Sequence, residues 1–127
     1  MSKRGVLLFA HGARDPRWAG PFEDVARRVR GREPALAVQL AFLEFMTPSL
    51  CGAGELLVGA GCTQVDVIPL FLGAGGHVRK DLPELLAELA AAHPRVQWHL
   101  QRAIGEVDSV IEAMAGAAIA SLNETQP

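Results

Sequence analysis

The chain has 127 residues, half of them hydrophobic and a fifth charged, with a formal net charge of −2. That is enough chain to bury a core without disulfide or metal staples. The near-neutral balance excludes the strongly basic face expected of a nucleic-acid binder, and no apolar run approaches the roughly 20 residues that span a bilayer.

The first apolar run, Val6–Ala10, is continuous, as expected of a central strand buried on both faces. Lys3-Arg4 before it imitates a signal peptide, but the run is short and Arg14, Asp15 and Arg17 follow where a cleavage site belongs. A cytoplasmic protein is expected. Residues 17–32 carry apolar marks at Trp18, Phe22, Val25, Ala26 and Val29, a helical spacing that Gly20-Pro21 is expected to interrupt. Ala37–Phe42 reads as a second strand. Thr47-Pro48 then opens a helix to about Ala60, with Thr as N-cap and Pro in the first turn, and Gly61 ends it.

Residues 64–70 form a third strand rich in β-branched side chains. Asp81 and Glu84 resemble a capping box opening a helix that stops at His93-Pro94. Val96, Trp98 and Leu100 alternate with polar residues, as on a half-exposed edge strand. Ile104, Val107, Val110, Ile111, Met114 and Ala118 mark a last amphipathic helix, and a frayed tail is expected over 123–127. The alternation β-α-β-α-β-α-β-α predicts a single α/β domain over residues 1–127. It would be a three-layer α/β/α sandwich on a four-stranded, mostly parallel sheet of order 2-1-3-4. Strands 1 and 3 then flank the topological switch point, where ligands bind in such sheets.

His11 follows strand 1 and His77 closes the loop after strand 3, so both leave the carboxyl ends of the strands at that switch point. Glu44, just past strand 2, joins the same rim. Two imidazoles and a carboxylate can hold a divalent transition metal with positions left open, and neutral imidazole can also accept a proton. A lone His at a strand end is more often structural, and His93 and His99 are read that way. The loop Gly73–Gly76 lacks both the dinucleotide fingerprint and the Lys-Ser/Thr of a P-loop, so it signals phosphate only weakly. Leu43, Phe45, Met46, Phe71 and Leu72 make these rim loops apolar, either as a ligand surface or as inward anchors. Arg14, Arg17, Arg79 and Lys80 would fringe the crevice with cations. Cys51 and Cys62 match no metal or redox spacing and are expected to be reduced, buried thiols.

The strings LLFAHGARDPRW, LAFLEFMTPSL and VIPLFLGAGGHVRKDLPELL together closely resemble the short CbiX/SirB family of sirohydrochlorin chelatases. The resemblance implies the chelatase-like fold. It also implies insertion of cobalt, or of iron in siroheme synthesis, into a tetrapyrrole fringed by acetates and propionates. The family's two histidines fall on His11 and His77 and its acidic residue on Glu44, which implies that these three hold metal and move protons. Arg14, Phe45, Leu72, Gly75, Gly76 and Arg79 are the expected substrate contacts. No cofactor is expected to be tightly bound; the metal, Co²⁺, Fe²⁺ or Ni²⁺, is a substrate. Ala13 stands where the family often has Ser, and Gly20-Pro21 is a second departure. One copy of the domain offers one wall of a cleft, so a homodimer is implied. The competing reading is a carrier that holds metal or tetrapyrrole in the same crevice without turnover.

Overall fold

A computed structural model of the chain describes residues 3–73 and 75–124. Among them one parallel sheet runs in the order β2-β1-β3-β4, built from β1 (Lys3–Ala10), β2 (Ala37–Phe42), β3 (Cys62–Pro69) and β4 (Gln97–Leu100). This is the expected order, with β1 and β3 side by side. The helices are α1 (Gly20–Arg32), α2 (Leu50–Gly59), α3 (Gly76–Ala92) and α4 (Asp108–Glu124).

The apolar run of β1 is continuous because each face of the sheet has its own core. Leu7 and Phe9 pack with Leu50, Ala53 and Leu57 of α2 and Leu82, Leu86 and Leu89 of α3. Val6 and Leu8 point the other way, to Ala26 of α1 and Val38 of β2. Strand period two and right-handed crossovers explain the split: α1 returns leftward to β2, whereas α2 and α3 step rightward over the opposite face. Each fully buried Leu or Phe in such a core contributes about 1.5–3 kcal/mol. Gly54 sets the spacing of α2 and α3, because a Cβ there would lie 2.8 Å from Leu89.

Several element boundaries differ from expectation. Ser49, not Thr47, caps α2, its Oγ accepting from the Gly52 amide at 3.1 Å. The Pro48 carbonyl instead accepts from the Phe42 amide at 2.9 Å, which ties the Thr47–Pro48 segment, joined by a cis peptide, to β2. Helix α3 begins at Gly76, ahead of Asp81 and Glu84, and takes His77 out of the loop into its first turn. The buried stripe that holds it starts at Val78 and continues through Leu82, Leu86 and Leu89, so Pro83 is carried inside the helix on an exposed position. Gly20-Pro21 does not break α1 but begins it: a 3₁₀ turn, Pro16–Ala19, precedes, and Pro21 lies in the first turn of the α-helix. The last segment also divides, into a 3₁₀ turn, Ile104–Glu106, and α4, none of whose residues is buried. Asn123 and Glu124 belong to α4 rather than to a frayed tail, and 125–127 lie outside the described residues.

Candidate functional site

Pairing between strands continues past their carboxyl ends and fixes the rim. The Leu43 amide donates to the Ala10 carbonyl at 2.9 Å, Glu44 to His11 at 3.1 Å, and Leu70 to Phe9 at 2.7 Å. The loops after β1, β2 and β3 are thereby zipped together, and the backbones of His11 and Glu44 are directly bonded. Gly12 makes this possible. Its φ is +87°, and a Cβ there would sit 1.9 Å from the Glu44 carbonyl oxygen.

His11 is exposed, and its ring lies on the face of Phe71, centroids 4.2 Å apart and planes inclined by 32°. Phe71 is only 2% exposed and meets Phe9 edge-on at 5.8 Å. The imidazole therefore rests on a buried aromatic floor while the residue itself stays exposed to solvent. His77 sits in the first turn of α3, the helix that follows the neighbouring strand β3. Gly75 is the N-cap of that helix, its carbonyl accepting from the Arg79 amide at 3.0 Å. A Cβ at Gly75 or Gly76 would meet nothing within 4 Å, so this helix start faces open space. The first amides of such a helix favour an anion.

The apolar rim residues separate into two groups. Leu43 and Met46 are half-buried against the cores, and Phe71 is buried, so these three act as inward anchors. Phe45 and Leu72 stand out, 58% and 72% exposed. Phe45 does so from a left-handed backbone, φ 65°, and the Arg14 guanidinium lies 5.0 Å from its ring centroid. Arg79 pairs with Glu106 at 3.4 Å, and Lys80 is exposed on α3. Arg17 turns away to Asp15 at 2.9 Å, and its hydrogen bonds hold the Asp15 carboxyl below the usual range.

The other two histidines, His93 and His99, are placed apart from His11, on other elements. His93 ends α3 and bonds Glu55 at 2.8 Å, and His99 is exposed on edge strand β4. Among the described side chains no three His, Cys, Asp or Glu groups stand close enough to hold a metal together. Cys51 and Cys62 are free thiols, both pushed up by burial; Cys62 is buried and Cys51 only half-buried.

Residues after β4 escaped the sequence reading. Gln101 pairs with the Val67 carbonyl and donates its side-chain amide to Asp66, a buried carboxylate that also receives Arg4 at 3.0 Å. Beyond it, Arg102 and Glu106 border a cleft beside Phe71. Their only sequence signal was position, just past the carboxyl end of the last strand.

The model of the CbiX family matches residues 5–119. The chain belongs to the CbiX family. A solved CbiX relative, from Marinobacter aquaeolei VT8, superposes with a TM-score of 0.84 at 33% identity, covering 96% of this chain and 99% of that one. The sirohydrochlorin cobaltochelatase of Methanococcoides burtonii is 30% identical over 84 residues, 66% of this chain and 64% of that enzyme. The sirohydrochlorin ferrochelatase of Bacillus subtilis is 27% identical over 115 residues, 88% of this chain but 43% of that enzyme. The chain thus spans less than two thirds of the length of either curated CbiX relative.

Proposed function

We propose that this chain is a sirohydrochlorin chelatase, a lyase that inserts Co²⁺ or Fe²⁺ into the macrocycle. One chelatase domain covers residues 1–127. The observation that carries the reading is His11, accessible above Phe71 at the end of β1, one strand away from the helix turn that bears His77. Similarity to cobalt and iron sirohydrochlorin chelatases supports the choice of substrate.

In this reading His11 and His77 receive the divalent ion and Glu44 assists. Insertion forms four bonds from metal to pyrrole nitrogens and releases two N–H protons, which the imidazoles or the Glu44 carboxylate accept. Few protein ligands suit the task, because the ion must leave for the macrocycle. Phe45 and Leu72 would meet the flat apolar ring, and Arg14, Arg79 and the open helix start at Gly75-Gly76 its carboxylates. The protein works in the cytoplasm; among the described residues no helix is long and apolar enough to cross a membrane. It works as a homodimer, the second copy supplying the other wall of the cleft.

The test is metal insertion itself. Purified protein mixed with sirohydrochlorin and Co²⁺ or Fe²⁺ should change the macrocycle's absorbance faster than the protein-free mixture. His11→Ala and His77→Ala should each abolish that excess rate while leaving the circular dichroism spectrum unchanged. A tetrapyrrole that binds but is metallated no faster than in buffer would make the protein a carrier. Wild-type rates in both variants would refute the site.

A further inference from the structure

A cleft of about 280 Å³ lies between the first half of α3 and the segment after β4, with Phe71, Leu82 and Leu100 among its walls. Phe71 is also the floor beneath His11, so the cleft and the site share a wall. Its mouth carries two cations, Arg79 from α3 and Arg102 from the segment after β4. One anion stands there as well: Glu106 accepts from Arg79 at 3.4 Å. That bond is long for a charge-assisted pair, which usually closes to about 2.7–2.9 Å.

We infer that this cleft is a carboxylate subsite, in which an alkyl carboxylate arm of the substrate displaces Glu106 and is held by Arg79 and Arg102. The inference rests on the chelatase reading for the identity of the substrate, but the subsite is defined by its own chemistry. An alkyl carboxylate needs an apolar slot for its methylenes and a guanidinium fork for its head, and both are present. Glu106 acts as a resident stand-in: a carboxylate already accepts from Arg79 at the mouth, in a solvent-exposed pair of the kind that contributes little and exchanges readily. The pull is directional as well. An arm anchored beside Phe71 draws the attached ring edge over His11, so the subsite positions the macrocycle rather than reacting with it. Gly105 keeps Glu106 in place, because its amide donates to the Phe71 carbonyl at 2.9 Å and a Cβ there would lie 2.0 Å from the Leu72 carbonyl oxygen.

Two measurements test this. The first titrates sirohydrochlorin, without metal, into wild type, Arg102→Ala, Arg102→Lys and Glu106→Gln. Loss of one charge-assisted contact should weaken binding about tenfold in Arg102→Ala. Lys should restore only part of it, since a point charge lacks the fork. Glu106→Gln should tighten binding several-fold by removing the competing anion. At saturating sirohydrochlorin the insertion rate of Arg102→Ala should also fall several-fold, because the ring is no longer drawn over His11. The second follows the Arg79 and Arg102 side-chain NMR signals during addition of glutarate, a simple dicarboxylate. Shifts in wild type that vanish in Arg102→Ala support the subsite whether or not the protein proves to be a chelatase. An active wild type whose affinity is unchanged in both Arg102→Ala and Glu106→Gln, with no glutarate shift, overturns the subsite and leaves the chelatase reading standing.

Discussion

Two backbone positions shape the rim, and they do so in opposite ways. Gly12 occupies a left-handed conformation with no room for a side chain, because the Glu44 carbonyl oxygen is already where Cβ would be. Gly12→Ala must move the β1 and β2 loops apart, and we expect it to cost at least about 2 kcal/mol and to disturb both His11 and Glu44. Thermal melting gives the first number; an unchanged melting temperature would mean that the loops are not locked together. Phe45 takes a left-handed conformation although it has a side chain and leaves that side chain exposed. Such strain costs about 1–2 kcal/mol, and it is explained if the ring serves a ligand. Phe45→Gly should therefore change stability by less than about 1 kcal/mol, the relief of strain offsetting the extra freedom of the unfolded chain. The same change should raise the KM for sirohydrochlorin. A large loss of stability with KM intact would make Phe45 a packing residue instead. Cys51 and Cys62 are a separate case: burial raises both thiols, so both are protonated at neutral pH. Neither should react quickly with a thiol reagent in native protein at pH 7, and both should react at once in denaturant.

At the scale of elements, the site depends on where strands end and helices begin. Ser49 fixes the start of α2 through one hydrogen bond, and Ser49→Ala should cost about 1 kcal/mol in a denaturant titration. Thr47→Ala should cost less, which would be reversed if Thr47 were the cap. The strands were legible because burial on two faces writes itself as a continuous apolar run, as in Val6–Ala10, and alternation fixed the order around β1. His11 and Glu44 could be placed on one rim for the same reason. Helix starts were harder to read. Thr47-Pro48 has the residue types of a helix start, but a tertiary hydrogen bond from Phe42 to Pro48 claims that segment for β2. The early start of α3 was hidden because Gly75 caps it with backbone alone and Pro83 interrupts the pattern. Arg102 and Glu106 carry no motif, and only the cleft that they border gives them a role.

At the scale of the whole molecule, α4 is the element that the fold leaves without a seat. α1 packs on β2, and beside it, among the described residues, the α1 side of β3 borders a hollow of about 400 Å³ lined in part by Leu36, Asp66 and Ile68. A helix after β4 could have returned to this place. The chain is instead held at the rim by Gly105, packed against the Leu72 carbonyl, and α4 touches little beyond the 3₁₀ turn that precedes it. Ile119 and Leu122 are left 65% and 73% exposed on a helix that carries no Lys or Arg. A helix of this length presents a strip about 25 Å long, enough to anchor an interface of standard size when two copies exchange it. Because α4 departs from the residue after Val107, next to the cleft beside Phe71, a second copy docked on it would stand near the rim and could supply the other wall that the proposed function asks for. We therefore expect sedimentation equilibrium of the full chain to give a dimer at micromolar concentration. The double variant Ile119→Asp/Leu122→Asp should be monomeric, keep its circular dichroism spectrum, and lose metal insertion at least tenfold, because charge on both sides of a twofold contact repels itself. A wild-type monomer with full activity would show that one wall suffices and that α4 has another partner. A dimer unaffected by the double variant would place the interface elsewhere on the rim.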